Sequence, residues 1–203
     1  MPLPKDYSGQ QCSLARALEI VGERWTLLIV RDAFFGVRRF GNFVTHLGIP
    51  RAVLAERLSS LTSEGVLSGT EGAHGHTEYV LTSKGLTLWP AVRSLLAWGD
   101  EHYSEGGPRR VFQHAADGAG VGSDGTCATC GQAVPVQELV VAPGPGLASR
   151  PGRGDPVSVA LAAPHRLLEP VRACPRPADS LLGARANFAP GHLAAGPSSQ
   201  LRG

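Results

Sequence analysis

The sequence Cys127-Ala128-Thr129-Cys130-Gly131 sets two thiols three positions apart. Thiolates at that spacing fit one face of a tetrahedral zinc site, and a complete site needs four ligands. Upstream, His114 and Asp117 offer an imidazole and a carboxylate with two residues between them. His114, Asp117, Cys127 and Cys130 are therefore a candidate donor set for Zn2+. A degenerate knuckle without metal fits the same residues equally well, so Zn2+ is one of two readings and not a required cofactor. A thioredoxin-type redox role fits less well, because no βαβ pattern surrounds the motif. Cys12 precedes the first helical pattern, where a helix N-terminus and the nearby Arg16 could favour its thiolate, as an oxidant sensor requires. The favoured reading of Cys12 is the plainer one, a small buried residue capping a hydrophobic cluster. Cys174 reads as a lone free thiol.

A second kind of chemistry lies in the arginines. Residues 31–57 carry five arginines against two acids, whereas residues 1–105 hold ten Lys and Arg against eleven Asp and Glu. Any positive field is therefore local. Arg51, Arg57, Arg38 and Arg39 suit phosphate oxygens or guanine edges; solvated surface charge is the alternative reading.

These side chains need elements to hold them. Leu14, Leu18 and Val21 recur at helical spacing before Gly22, and residues 25–35 are apolar almost all round, which predicts a short buried helix. Phe40, Phe43, Val44 and Leu47 form a third helical pattern, stopped by Gly48. Pro50 suits the first turn of the next helix, whose inward stripe is Leu54, Leu58 and Leu61, with Gly65 as the stop. Two short helices around a tight glycine turn make a helix-turn-helix. The outward face of the second carries Arg51, Ala52, Ala55 and Ser59, small or cationic residues suited to close approach to a groove, with Arg57 to the side. Period-two patterns over 66–70 and 76–81 flank a tip at 72–75, a β-hairpin wing. The tip offers only His74 and His76, cationic when protonated. Thr82 or Ser83 can cap a last helix to Tyr103, kinked by Pro90. Its stripe Leu86, Trp89, Val92, Leu96 can face the core. A second stripe, Leu88, Ala91, Leu95, Trp98, has no partner in so small a domain and predicts a homodimer seam.

Composition divides the chain of 203 residues. Residues 106–203 hold 15 of the 26 glycines and 12 of the 16 prolines. Residues 134–141 read as a short strand or two, and 147–203 as a disordered tail too poor in apolar surface to offset its ordering entropy. The tail's Arg150, Arg153, Arg166 and Arg172 read as solvated, with nonspecific phosphate affinity as the alternative. A formal net charge of +2 excludes a polybasic protein. No apolar run long enough to span a bilayer is present, the N-terminus lacks a secretory core, and four cysteines are too few for a secreted disulfide scaffold. A cytoplasmic protein without membrane association is expected. No Ser/His/Asp set, phosphate loop or paired-carboxylate motif marks an enzyme.

The stretch Ala17-Leu18-Glu19-Ile20-Val21-Gly22-Glu23-Arg24-Trp25-Thr26-Leu27-Leu28-Ile29, after Cys12, resembles the opening of the HxlR-type winged helix-turn-helix regulators, which are related to the MarR group. So do Arg39-Phe40-Gly41-Asn42-Phe43, Leu47-Gly48-Ile49 with Val53-Leu54, Arg57-Leu58, Tyr79-Val80-Leu81-Thr82-Ser83-Lys84-Gly85 and Trp98-Gly99-Asp100. The resemblance implies a mainly α fold with a small hairpin wing (α+β). It also implies a non-catalytic homodimer on double-stranded promoter DNA, a repressor or activator answering an unidentified small molecule or oxidant. Repression is the favoured reading, because a dimer over a promoter blocks polymerase without a further contact surface. A cysteine at the place of Cys12 senses oxidants in some relatives. The expected organisation is a winged helix-turn-helix over 8–105, a small knuckle over 106–146 and the tail over 147–203. Expected DNA contacts are Arg51 and its neighbours Ala52 and Ala55 on base edges, Arg38 and Arg39 on phosphate, and His74 and His76 from the wing. Arg57 contacts phosphate or pairs with Glu56 or Glu64. Members of the resembled subgroup often carry His-x-x-Cys-Gly ahead of the CxxCG and a Gly-Pro-Gly; this chain has Asp117 in place of that cysteine. The alternative function is a winged-helix protein-interaction module that binds no specific DNA.

Overall fold

The computed structural model describes residues 7, 9–72, 75–147 and 154–171. Helices α1 (Ser13–Val21), α2 (Thr26–Phe34), α3 (Phe40–Leu47) and α4 (Arg51–Ser63) come first. The hairpin β1 (Leu67–Glu71) and β2 (Thr77–Leu81) follows, antiparallel, with Leu67 opposite Leu81 and Glu71 opposite Thr77. Next come α5 (Ser83–Leu86), α6 (Trp89–Tyr103), β3 (Arg110–His114), β4 (Leu139–Pro143), α7 (Pro156–Ala160) and β5 (His165–Arg166).

α2 is the central rod: Ile29, Val30 and Phe34 are fully buried, as its all-round apolarity requires. Phe43 of α3 and Leu54, Leu58 and Leu61 of α4 close on it. Removing each such side chain from water is worth roughly 1.5–3 kcal/mol. The turn between α3 and α4 needs Gly48, whose φ of 68° is left-handed. Pro50 is the cap residue of α4 and Arg51 its first residue.

The long last helix differs from expectation. It breaks at Thr87–Leu88 into α5, capped by the Thr82 hydroxyl accepting from the Gly85 amide, and α6. Pro90 lies in the first turn of α6, where a missing N–H costs no helical bond, so it starts a helix instead of kinking one.

Trp89 of α6 joins the winged helix to the following sheet. Its ring lies 5.0 Å from that of Phe34 and 5.4 Å from that of Phe112 on β3. β3, β4 and β5 form an antiparallel sheet in that order, with Phe112 opposite Val141 and His114 opposite Leu139. Residues 106–146 thus pack onto the winged helix, and the described residues form one compact unit.

The expectation of disorder over 147–203 is corrected for 154–171. Val157, Leu161, Leu167 and Val171 are buried there, and β5 pairs with β4. The segment runs beside the bend after α2: the Leu168 amide donates to the Phe34 carbonyl at 2.8 Å and the Val171 amide to that of Gly36 at 2.9 Å. Gly36 permits this, because a Cβ at its φ of 85° would collide with the Glu169 carbonyl. Cys174 and the rest of the tail, including Arg150, Arg153 and Arg172, lie outside the described residues; Arg166, on β5, donates to the Gln137 carbonyl at 2.9 Å and is not merely solvated.

A half-buried polar cluster fastens α7. The Asp155 carboxylate caps α7, accepting from the Val157 and Ser158 amides, and meets His46 Nδ1 of α3 at 3.1 Å. Behind His46 lies the fully buried Asp32, held by the Arg31 guanidinium at 2.6 Å. Burial alone would push the Asp155 carboxyl up, but the hydrogen bonds from Ser158 and His46 win and hold it below its usual value. A depressed folded pKa adds stability above the unfolded value, about 3.9, that is lost as pH falls through the folded one. Asp155→Ala is expected to cost about 1–2 kcal/mol in urea denaturation at pH 7. The gap from wild type should narrow below about pH 4; a gap that widens there would contradict the assignment.

Candidate functional site

α4 is two-faced. Its inner stripe is buried, while Arg51, Ala52, Ala55 and Ser59 are exposed along the other side. The sequence grouped these residues by helical spacing, and the structure places them together. Arg51 is further ordered by Phe40 of α3: its guanidinium lies 5.2 Å from the ring centroid. Stacking on an aromatic holds the planar fork without consuming its donors, leaving them for a ligand.

The other arginines are more committed. Arg39, the cap residue of α3, is about half exposed, and its Nε meets Glu78 of the wing at 3.3 Å. Arg57 pairs with Glu56 at 3.2 Å and with Glu23, not Glu64, at 3.8 Å. Arg38, expected to contact phosphate, has a partner within the chain. It is half-buried and donates from Nη2 to the Leu168 carbonyl at 3.0 Å, anchoring the segment around β5. Nothing near Arg38 in sequence signals that partner, which lies 130 positions away. In the wing, His76 is exposed beside the tip; His74 lies outside the described residues.

Two further features lie away from α4. On α6, Leu95 and Trp98 are each 53% exposed and Tyr103 is 69% exposed, with the Trp98 and Tyr103 rings 5.3 Å apart. Leu95 and Trp98, of the stripe expected to form a seam, are thus left uncovered by the described residues. Cys12 is exposed at the start of α1, which corrects the expectation of a buried residue. The neighbouring Arg16 is engaged by the Glu19 carboxylate at 2.6 Å, so that cation is already neutralised.

The predicted metal donors also converge. His114 ends β3, Asp117 sits in the turn after it, and Cys127 and Cys130 bracket the knuckle closed by Gly131, whose amide donates to the Cys127 carbonyl. One ligand atom from each of the four lies within 4.8 Å of all the others. The amide of Ala119, donating to Asp117, is the chief group holding that carboxyl below its usual value. Sequence reasoning missed Glu138, whose Oε2 meets His114 Nε2 at 3.4 Å.

Comparison with known proteins places the chain. The HxlR-like helix-turn-helix family profile matches residues 20–106. Uncharacterized HTH-type transcriptional regulator Rv3095 of Mycobacterium tuberculosis is 41% identical over 142 residues, 68% of this chain and 89% of the relative. That match is too long to be confined to the winged helix, so it takes in part of the flanking chain. YvaP of Bacillus subtilis, another HTH-type transcriptional regulator, is 34% identical over 89 residues, 42% of this chain and 82% of the relative. Among solved structures, that of PA1607, a candidate transcription factor, superposes with a TM-score of 0.52 at 35% identity, covering 63% of this chain and 91% of that one. With the buried α2, the glycine turn between α3 and α4, and the wing in their expected order, this chain belongs to the HxlR-like helix-turn-helix family of transcriptional regulators.

Proposed function

We propose that the protein is a cytoplasmic, homodimeric repressor that binds promoter DNA sequence-specifically, with α4 in the major groove. The observation that carries this reading is the division of α4 into a buried leucine stripe and an exposed face of Arg51, Ala52 and Ala55. Small side chains let the helix backbone approach the groove floor, and a stacked arginine can grip guanine O6 and N7 together. The apolar face around Leu95 and Trp98 supports pairing of two copies, which sets two such helices on half-sites about 34 Å apart. A dimer seated over a promoter blocks polymerase without a further contact surface. Cys12 is an exposed thiol that an oxidant or electrophile would reach. The competing reading, a protein-interaction module, is kept alive by the near balance of charge over residues 1–105.

Salt separates the two. Binding of the full chain to labelled duplex DNA, followed by fluorescence anisotropy, should weaken steeply between about 50 and 200 mM salt, because each neutralised phosphate releases counterions. Flat salt dependence or no binding favours the interaction module. Arg39→Ala should weaken operator and random DNA alike and reduce the magnitude of the salt slope by about 1, as expected for one lost phosphate contact. A loss confined to one sequence would contradict that role.

A further inference from the structure

We propose that His114 Nδ1, an Asp117 carboxylate oxygen, Cys127 Sγ and Cys130 Sγ bind one zinc ion in a closed, structural site. The donor separations carry the inference. His114 Nδ1 is 3.6 Å from Asp117 Oδ1 and 3.8 Å from Cys130 Sγ, and Cys127 Sγ is 3.8 Å from the same Asp117 Oδ1. Usual zinc distances of ~2.3 Å to sulfur and ~2.0–2.2 Å to nitrogen or oxygen give tetrahedral edges of roughly 3.3–3.8 Å. Three of the six donor pairs stand at such edges, and all four donors lie within 4.8 Å of one another. Two thiolates, an imidazole and a carboxylate select a borderline-soft tetrahedral ion over magnesium or calcium, which prefer all-oxygen shells. Four protein ligands leave no open position, so the site is structural.

The surroundings agree. His114 turns Nδ1 toward the other three donors and Nε2 toward Glu138 at 3.4 Å. A carboxylate accepting the Nε2 proton fixes the tautomer that leaves Nδ1 free to ligate. Glu138 sits in the 3₁₀ turn Val136–Glu138, whose last carbonyl accepts from the Ala115 amide, so its backbone is tied to the β3 turn as well. The Cys127 residue is buried while Cys130 is exposed, which gives a metal a way in from one side. The loop between the two donor pairs is held onto α6 by Arg93. Its guanidinium lies 4.4 Å from the Phe112 ring centroid and donates to the Val121 and Gly122 carbonyls at 3.3 and 3.4 Å. An ion joining the β3 turn to the knuckle would therefore brace the loop that sits on α6.

The test uses the full chain purified without chelator under a non-thiol reductant. Metal analysis should find one zinc per chain, and Co2+ exchanged into the site should give the intense visible bands and thiolate charge transfer of a tetrahedral ion. Cys130→Ala, at an exposed position, should lose the metal. Glu138→Gln should keep the stoichiometry but weaken zinc roughly 10- to 100-fold in competition with a chromophoric chelator. No zinc after reconstitution, a weak octahedral cobalt spectrum, full zinc in Cys130→Ala, or a Cys127–Cys130 disulfide persisting under reductant would each overturn the proposal.

Discussion

With Leu95 and Trp98 both replaced by glutamate, the protein is expected to run as a monomer and to bind operator DNA about 10²- to 10⁴-fold more weakly. Both side chains are 53% exposed on α6, while the core side of that helix rests on Trp89 and Val92. The substitutions therefore leave the buried side of the helix in place and act on the exposed face proposed for pairing. Two linked recognition helices gain an effective concentration that one helix lacks, and breaking the dimer forfeits it. Sedimentation gives the mass and anisotropy the affinity. A variant that keeps twice the chain mass, or that binds operator with unchanged affinity, would remove α6 from the interface.

The second large effect is expected from Arg51→Ala: a loss of about 10- to 100-fold on the cognate site, corresponding to 1–3 kcal/mol for one bidentate base contact. Random DNA should lose far less, because the sequence-independent attraction comes from phosphate contacts elsewhere. Arg51→Lys is the informative control. It keeps the charge and loses the planar fork that stacks on Phe40, so it should recover random-DNA binding without restoring preference. Equal losses on both DNAs for Arg51→Ala would contradict a base-reading role.

The winged helix was legible because its determinants are local. Leu54, Leu58 and Leu61 announce a buried stripe, Gly48 and Gly65 mark the stops, and alternation around Tyr79 marks a strand. Pro90 was seen but misassigned: a proline signals a kink or a helix start equally well, and only the break at Thr87–Leu88 decides between them. The segment 154–171 was missed because its supports are distant. Asp155 meets His46 across 109 positions, and Leu168 receives Arg38 across 130. Its apolar residues are too sparse among Pro and Gly to predict burial alone. The same distance hides the Leu168 partner of Arg38 from the sequence. In the candidate metal cluster, spacing pointed to all four residues that the structure brings together. Glu138 stayed hidden, since a carboxylate 24 positions from its histidine carries no pattern.

The central claim, paired α4 helices reading duplex DNA, is tested most directly by selecting binding sites for the full chain from a random double-stranded library. The account predicts enrichment of an inverted repeat whose half-site centres lie about 10–10.5 base pairs apart, or a multiple of that spacing. Enrichment of a single unpaired half-site, or of no sequence at all, would contradict it.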